Sequence, residues 1–139
     1  MNLPETNYND CIIFLLAKAY QKAHADFKKR ILPFGLTPIQ HLILAALWVK
    51  DGVPAKVIGE NLVLDGATLS GILDRLTTGG WIFKKPDPDD KRVQRIYLTD
   101  KSKDARPELA RQRNESNDNI MQNLTFEEKV LLKRLLRDL

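Results

Sequence analysis

The sequence is poor in the residues that build disulfide frameworks and metal sites: its 139 residues include one cysteine, Cys11, and two histidines, His24 and His41. A single cysteine cannot form an intrachain disulfide, and these histidines belong to no cluster spaced for metal binding. A catalytic site would need a nucleophile with a base, paired carboxylates or a metal cluster, and no such spacing is present. We therefore expect no disulfide, metal, cofactor or catalytic residue, and we predict that the protein is not an enzyme.

Long apolar runs are also missing. None approaches the ~20 residues that a membrane-spanning helix requires, and residues 1–5 lack the basic start of a secretory signal. The length suits a single domain, and a formal net charge of +4 permits a polyanionic partner without requiring one. These features predict a single-domain, cytoplasmic protein with no membrane partner.

The most informative stretch is residues 65–78, where apolar side chains recur at helical spacing and form one face. The apolar positions are Leu69, Ile72, Leu73 and Leu76, and the opposite face carries Thr68, Ser70, Gly71 and Arg75. Small residues near the start of a helix, Gly66 included, let that helix approach another surface closely and offer it hydrogen-bonding groups. That combination suits a helix laid in a DNA groove. An ordinary amphipathic core helix is the alternative for this stretch taken alone.

The residues around this helix favour the DNA-binding interpretation. Gly79 and Gly80 predict its end, residues 81–85 and 93–98 predict two strands, and residues 86–92 form a charged loop rich in turn formers. Helix, strand, charged loop and strand follow one another in the order of a winged helix-turn-helix. On the N-terminal side, residues 51–54 predict a turn and residues 55–62 the short first helix of the helix-turn-helix.

The chain resembles the MarR family of bacterial transcriptional regulators over most of its length. The resemblance rests on the segments Leu-Asp-Gly-Ala-Thr-Leu-Ser at 64–70, Leu-Asp-Arg-Leu at 73–76, Gly-Trp-Ile at 80–82, Asp-Lys-Arg at 90–92 and Leu-Thr at 98–99. It implies a mainly α fold with a small β-hairpin wing, in the α+β class. In that fold a winged helix-turn-helix is joined to terminal dimerisation helices.

The two ends of the chain carry more apolar surface than a monomer core uses. Residues 8–31 predict a long helix with a wide apolar stripe, and a capping box at Thr125 and Glu128 begins a last helix with six apolar positions. The helix between the wing and that last helix, opening at Thr99, is too polar to be enclosed in a core. This pattern predicts a homodimer, and the resemblance implies the same.

The expected organisation is therefore one domain, residues 1–139. Residues 35–99 form the DNA-binding lobe, and residues 1–34 and 100–139 supply the dimerisation helices.

The predicted DNA contacts follow from this arrangement and from the family pattern. They are Lys56, Gly66, Thr68, Ser70, Gly71, Arg75, Lys91 and Arg92. In that pattern the wing arginine reaches the minor groove, so Arg92 is expected there, with Lys91 adding charge and Asp90 holding Arg92 by an ion pair. Lys56 is expected to contact a phosphate because the first helix crosses the DNA backbone. The alternatives are an ordinary exposed lysine at position 56 and a solvated charge cluster on the wing.

Together these expectations predict a sequence-specific DNA-binding transcriptional regulator, a repressor that is released by a small-molecule effector. Its partner would be a pseudo-palindromic duplex bound by the homodimer. A winged-helix repressor of another family is an alternative, whereas a helical interaction module without DNA binding would leave the charged wing unexplained.

The resemblance also implies a ligand site, because family members bind small aromatic or lipophilic anions between the dimer helices and the DNA-binding lobe. The residues on segments that could line such a space are His24, Phe27, Arg30, Phe34 and His41. For each of them, an ordinary core or surface position is the alternative.

Cys11 raises the alternative of a thiol-based oxidant sensor. In the hydroperoxide-sensing branch of the family the reactive cysteine directly precedes a similar Phe-Leu-Leu, but Ile13 occupies that place here and Cys11 lies two residues earlier. The tyrosines that activate that thiol align with Ala17 and Phe27. We therefore expect a buried, inert thiol rather than a sensor.

Overall fold

The computed structural model describes residues 7–139, which fold into six α-helices and three short strands. The expectation about a secretory signal at residues 1–5 concerns residues outside this range. The helices are α1 (Ile12–Ile31), α2 (Pro38–Val49), α3 (Ala55–Leu62), α4 (Gly66–Thr78), α5 (Asp100–Ile120) and α6 (Phe126–Arg137). The strands are β1 (Val53–Pro54), β2 (Ile82–Pro86) and β3 (Gln94–Leu98). The predicted mainly α fold with a small wing is confirmed.

The sheet has three antiparallel strands in the order β1-β3-β2. The predicted hairpin is β2 and β3, in which Phe83 lies opposite Tyr97. The prediction of a simple turn at residues 51–54 is wrong in part, because Val53 pairs with Ile96 and adds a third strand. Two residues are too few to show the alternation that identifies a strand in a sequence.

The core lies mainly in one lobe. All of the buried hydrophobic side chains except Ile31, Leu109 and Met121 belong to residues 36–98. Helix α6 buries none of its side chains, and α1 buries only Ile31. The lobe therefore has its own core, whereas the terminal helices leave most of their apolar surface uncovered within the chain.

The first helix begins later than its apolar pattern predicts. Residues Tyr8–Asp10 form a short 3-10 turn, and the chain is extended at Cys11 before α1 starts at Ile12. The side chain of Asn7 accepts a hydrogen bond from the backbone N–H of Asn9 at 3.1 Å. This local cap stabilises the turn and separates it from the helix.

The link from α4 to the sheet and to α5 is built from backbone carbonyls and hydroxyl groups. Gly80 has a φ of +76°, which a residue with a Cβ adopts at a cost, and it turns the chain from α4 into the sheet. The hydroxyl of Thr99 donates to the carbonyl of Gly80 at 2.7 Å and accepts from the N–H of Ser102, so Thr99 caps α5 as predicted. The hydroxyl of Ser102 donates to the carbonyl of Trp81.

Among the residues that the structure describes, no single helix is long and apolar enough to cross a membrane. The segment Ile12–Phe34 and α2 would together be long and apolar enough for a membrane span, but they are bent by 74° relative to each other.

His41 lies in the core. Its side chain is fully buried, with its ring edge-to-face to Phe27 at 4.9 Å and to Trp48 at 5.7 Å between centroids. Neither ring nitrogen has a hydrogen-bond partner among residues 7–139. Burial, and secondarily the positive charge of Arg113, lower the pKa of His41 from 6.5 to about 4. His41 is therefore a neutral packing residue, and its assignment to a ligand site is wrong.

The buried imidazole predicts a pH-dependent stability. In the unfolded chain the pKa of His41 is near 6.5, and in the folded chain it is about 4, so between these values the unfolded state binds one more proton. Its contribution to the free energy of unfolding is complete above pH 6.5 and is lost as the pH falls toward 4. The total loss is about 3 kcal/mol, at roughly 1.4 kcal/mol per pKa unit.

Urea denaturation at fixed protein concentration across this pH range should show that His41→Leu removes most of this dependence, because leucine keeps the volume without a titrating group. His24→Gln is the matched control and should retain it. Equal pH dependence in the wild type and in His41→Leu would contradict the assignment.

Candidate nucleic-acid interface

The N-terminus of α4 is fixed by Asp65. Its carboxylate accepts from the backbone N–H of Thr68 at 2.8 Å and from the hydroxyl of Thr68, also at 2.8 Å. These bonds to Thr68 hold the pKa of Asp65 below its usual range, so the cap stays ionised at neutral pH. Because the Thr68 hydroxyl proton is already donated to Asp65, Thr68 can offer an external partner only its acceptor capacity.

Small residues dominate the outward side of α4. Ser70 and Gly66 are exposed and Gly71 is half-buried. A Cβ added at Gly66 or Gly71 would meet nothing within 4 Å, so packing within the chain does not require glycine at either position. The absence of side chains at Gly66 and Gly71 instead allows an external surface to approach α4 closely.

The C-terminal half of α4 carries charge. Asp74 pairs with Lys84 of β2, with 2.5 Å between its carboxylate and the Lys84 amino group. The adjacent Arg75 is exposed, and within the described part of the chain its guanidinium has no hydrogen bond or ion pair. Arg75 is therefore available to an anion, and the Asp74–Lys84 pair ties α4 to the base of the wing.

Lys56 lies in the first turn of α3. Its side chain is 87% exposed, and its amino group is 4.0 Å from a carboxylate oxygen of Glu60, which is also exposed. A pair this long and this solvated adds little stability. The lysine can therefore reach an external phosphate at small cost.

The tip of the wing presents one arginine held by one aspartate. The carboxylate of Asp90 accepts from the backbone N–H of Arg92 at 3.1 Å and from two guanidinium nitrogens of the same residue at 3.0 and 3.2 Å. The Arg92 side chain remains 90% exposed. The Asp90–Arg92 ion pair that the family pattern implies is thus present, with exposed Lys91 between the two residues.

A cavity of about 820 Å³ lies between α1, α2, α4 and α5. Of the five residues predicted for a ligand site, His24 and Phe27 line it. The other lining residues are Tyr20, Ala23, Lys28, Thr37, Pro38, Ile39, Leu42, Ala67, Thr68, Gly71, Ile72, Arg75, Arg113, Ser116, Asn117 and Ile120. Thr68, Gly71 and Arg75 thus belong both to the outward side of α4 and to this cavity.

Three predicted cavity residues lie elsewhere. The Arg30 guanidinium is held by Asp26 at 2.8 Å and by Glu115 at 3.1 Å, so it joins α1 to α5. An acidic residue four positions before an arginine on a helix predicts an ion pair within that helix. At Arg30 this spacing was a better guide than the neighbouring aromatic residues, which suggested a ligand site. Phe34 packs against the lobe core from a short 3-10 segment, and His41 is inside that core.

The cavity wall is electropositive. It carries Lys28, Arg75 and Arg113 but no aspartate or glutamate, and the remaining surface is largely apolar or aromatic. Lys28 and Arg113 were missed from the sequence, because Arg113 lies in a segment whose polarity indicates only solvent exposure. This combination suits an anion that carries an apolar or aromatic body.

The terminal helices expose a broad apolar surface. Ile12 is 58% exposed, Tyr20 66%, Val130 55% and Leu135 48%. Exposed apolar patches of this kind mark association surfaces in soluble proteins. The two termini therefore provide the surface expected of a dimer interface.

Cys11 is exposed and sits at the extended position just before α1, with no capping hydrogen bond from its side chain. The expectation that this thiol is buried in the chain is wrong. The reason is that the N-terminal half of α1 is uncovered within the chain: Ile12, the first residue of the apolar stripe, is itself 58% exposed.

Comparison with known proteins adds to this geometry. The profile of the MarR family matches residues 34–93. The chain is 37% identical over 87 residues to the HTH-type transcriptional regulator TtmR of Methylorubrum extorquens, a match that covers 60% of this chain and 45% of TtmR. It is 31% identical over 105 residues to the HTH-type transcriptional regulator MgrA of Staphylococcus aureus, covering 75% of this chain and 71% of MgrA. The match thus spans less than half of the first relative and most of the second.

Solved structures share the fold over nearly the whole chain. A probable transcriptional regulator from Pseudomonas aeruginosa superimposes with a TM-score of 0.90 and 30% identity, covering 95% of this chain and 98% of that protein. BpsR of Bordetella bronchiseptica, whose DNA binding is regulated by 6-hydroxynicotinic acid, gives 0.90 at 24% identity, with 97% and 96% coverage. A mutant MarR from E. coli complexed with operator DNA gives 0.85 at 24% identity, with 94% and 96% coverage.

The exposed arginine at the wing tip generates a prediction for duplex binding. Arg92→Ala should weaken binding to many sequences by a similar factor and reduce the slope of log affinity against log salt by about 1, because the contact is mainly electrostatic. Fluorescence anisotropy titrations over a series of salt concentrations measure both quantities. Lys103→Ala, which removes one exposed lysine outside the lobe, is the control and should change the slope less.

If Arg92→Ala left the affinity and the salt slope unchanged, the wing assignment would be wrong.

Ser70→Ala should change which duplexes are preferred, because Ser70 lies on the outward side of α4.

Proposed function

This chain belongs to the MarR family, and we propose that it is a homodimeric, sequence-specific DNA-binding regulator of transcription. The observation that carries the proposal is the combination of two surfaces on one lobe. Helix α4 presents small residues and Arg75 outward, and the wing holds an exposed Arg92 in a fixed geometry. A duplex can contact both surfaces at once, since a helix of this width fits the major groove and an arginine suits the narrow, negative minor groove.

The domain roles follow the distribution of the core. We assign residues 35–99 to DNA binding, with contacts from Lys56, Thr68, Ser70, Arg75 and Arg92, and we assign residues 1–34 and 100–139 to dimerisation. A two-fold axis through the terminal helices would place two recognition helices on half-sites ~10 bp apart in a pseudo-palindromic duplex. The complex of the E. coli protein with operator DNA supports DNA binding by a protein of this fold. The matched relatives are named regulators and not enzymes, and we propose no catalytic role for this chain.

The cavity supports control by a small molecule. We propose that an anion with an aromatic or lipophilic body binds between Lys28, Arg75 and Arg113 and lowers DNA affinity, so that the protein acts as a repressor released by its effector. Helix α4 contributes to both the cavity and the DNA-facing side, and a ligand that binds one arrangement of α4 better shifts the population toward it. The regulation of BpsR by 6-hydroxynicotinic acid, an aromatic compound that can carry a carboxylate, is consistent with this class of ligand. We propose that the protein acts in the cytoplasm, where bacterial chromosomal DNA lies.

The second candidate is an oxidant sensor that uses Cys11. The exposure of the thiol within a single chain favours it, since a reactive cysteine must be accessible. Against it stand Ala17 and Phe27, which occupy the places of the activating tyrosines.

The proposed function predicts a dimer whose association and DNA binding are lost together. Leu135→Asp places a charge on an α6 side chain that is 48% exposed within the chain, so it damages the protein only if another molecule covers that surface. We expect sedimentation to show a dimer for the wild type at micromolar concentration and a monomer for Leu135→Asp. Val49→Asp, at a position 88% exposed in the lobe, is the matched control and should remain dimeric.

The duplex itself is found by selecting bound fragments from the source genome at near-physiological salt, and these fragments should share paired half-sites. A folded wild-type monomer, or binding without sequence preference, would overturn the proposal.

A separate experiment distinguishes ligand control from thiol control. We expect Cys11→Ser to keep full affinity for the selected duplex, and we expect stoichiometric hydroperoxide not to release the wild type, because the activating tyrosines are absent. A small aromatic carboxylate should release both proteins. Anisotropy with and without each compound gives the answer, and peroxide-induced release of the wild type alone would make Cys11 the sensor.

A further inference from the structure

The charges of the wing are mostly paired within the chain. Residues 84–95 contain five basic and three acidic side chains. Three of the basic residues make ion pairs: Lys84 with Asp74, Arg92 with Asp90, and Arg95 with Asp87. These pairs differ in their burial. Arg92 is at the tip and 90% exposed. Arg95 lies in β3 opposite Lys85, one residue pair from the loop end of the hairpin, and is 36% exposed.

Arg95 joins two parts of the lobe that are far apart in sequence. Its Nε donates to the carboxylate of Asp87 at 2.5 Å, and another guanidinium nitrogen donates to the backbone carbonyl of Gly52 at 2.8 Å. Gly52 belongs to the turn before β1. The planar fork of arginine can satisfy both acceptors at once, which a lysine amino group on a flexible stem does poorly.

The receiving turn is rigid. Gly52 has a φ of +69°, and its backbone N–H donates to the carbonyl of Ile96 at 2.9 Å. A larger residue does not fit at this position, because an added Cβ would lie 2.7 Å from a ring carbon of Tyr97. The carboxylate of Asp51 also accepts from the N–H of Leu98 at 2.9 Å. Arg95 is therefore anchored to a turn that is itself fixed to β3.

Asp87 organises the other end of this contact. Its side chain is nearly buried, and one carboxylate oxygen accepts from the backbone N–H groups of Asp89 at 2.8 Å and Asp90 at 3.1 Å. The backbone N–H of Asp87 donates to the carbonyl of Val93 at 2.8 Å, which closes the loop. Hydrogen bonds from Arg95, and then from the Asp89 backbone, hold the pKa of Asp87 below its usual range, so the carboxylate is charged at neutral pH.

These contacts form a continuous path to the wing tip. It runs from the Gly52 carbonyl through Arg95 and Asp87 to the backbone of Asp90, whose carboxylate holds Arg92. Each hydrogen bond on this path has a charged donor or a charged acceptor, which makes it stronger than a bond between neutral groups.

We propose that Arg95 and Asp87 are positioning residues that set the angle of the wing and preorganise Arg92 for DNA, and that Arg95 is not itself a phosphate contact. The inference rests on the proposed DNA-binding function and deepens it. A preordered wing avoids the loss of conformational freedom that a mobile hairpin would undergo on binding.

The two possible roles of these residues predict opposite results. If Arg95 were a phosphate contact, Arg95→Lys would keep the charge and most of the affinity. Asp87→Asn would then strengthen binding, because it removes a negative charge beside the phosphates. If the pair positions the wing, Arg95→Lys breaks the fork and Asp87→Asn weakens its bond to Arg95, so both weaken binding despite an unchanged or more positive charge.

The experiment measures binding of full-length wild type, Asp87→Asn and Arg95→Lys to a fluorescein-labelled duplex carrying the selected operator, over a series of salt concentrations. Asp89→Asn is the matched control, since it makes the same charge change two residues away at an exposed side chain for which the described structure shows no hydrogen bond. We expect Asp87→Asn and Arg95→Lys each to weaken binding roughly tenfold with the wild-type salt slope. Asp89→Asn should bind as well as the wild type or better.

Hydrogen exchange of the wing in the absence of DNA supplies a readout that is independent of binding. The amides of Asp89 and Asp90 should exchange faster in Asp87→Asn and Arg95→Lys than in the wild type and in Asp89→Asn, while exchange in α2 and α4 stays unchanged. Wild-type affinity in Arg95→Lys together with stronger binding in Asp87→Asn would overturn the proposal, as would unchanged exchange in the wing. Failure of the wild type to bind any selected duplex would instead reject the proposed function. The exchange measurement would still test whether Arg95 and Asp87 order the wing.

Discussion

The burial of one face of α4 is the constraint on which the DNA-facing surface depends. Leu69, Ile72, Leu73 and Leu76 are each at most 6% exposed, and burying a side chain of this size stabilises a protein by roughly 1.5–3 kcal/mol. A rotation of α4 by one residue, about 100°, would move apolar side chains into water. The outward direction of Ser70 and Gly71 is therefore fixed by packing on the opposite side, and the cap at Asp65 fixes where the helix begins.

The terminal helices are stabilised differently from α4. Because the core is concentrated in residues 36–98, α6 gains almost no burial from its own chain. Within one chain, Ile31 and Leu109 hold α1 and α5 to the lobe by packing in its core. Polar contacts join α1 to α5, since Asp26 on α1 accepts from Arg30, and from Ser116 at 2.7 Å and Asn119 at 3.1 Å on α5. In the proposed dimer the apolar surface is covered by the partner, so the order of the terminal helices depends on protein concentration.

The sequence predicts the parts of this fold that local chemistry determines. Capping side chains at Thr37, Asp65, Thr99 and Thr125 mark helix starts because each bonds a backbone N–H within three residues. The family pattern likewise implies the Asp90–Arg92 pair, which spans two residues. Tertiary contacts decide the rest. Periodicity shows which side of α2 carries His41 but not how deeply that side is buried, and the partners of Arg30 and Arg95 include Glu115 and Gly52, which are remote in sequence.

The junction between α4 and α5 has a mechanical consequence. Thr99, Lys101 and Ser102 at the start of α5 bond the carbonyls of Gly80, Gly79 and Trp81 at the end of α4, so the two helices meet at a stiff corner rather than through a slack linker. With 21 residues at 1.5 Å each, α5 is an arm of ~30 Å. A swing of ~5° about this corner displaces the far end of that arm by between 2 and 3 Å on the same length estimate, and the same angle applied to α4 changes its pitch against the duplex. In the proposed dimer, the distance between the two DNA-binding lobes and the angle of α4 against the duplex therefore change together.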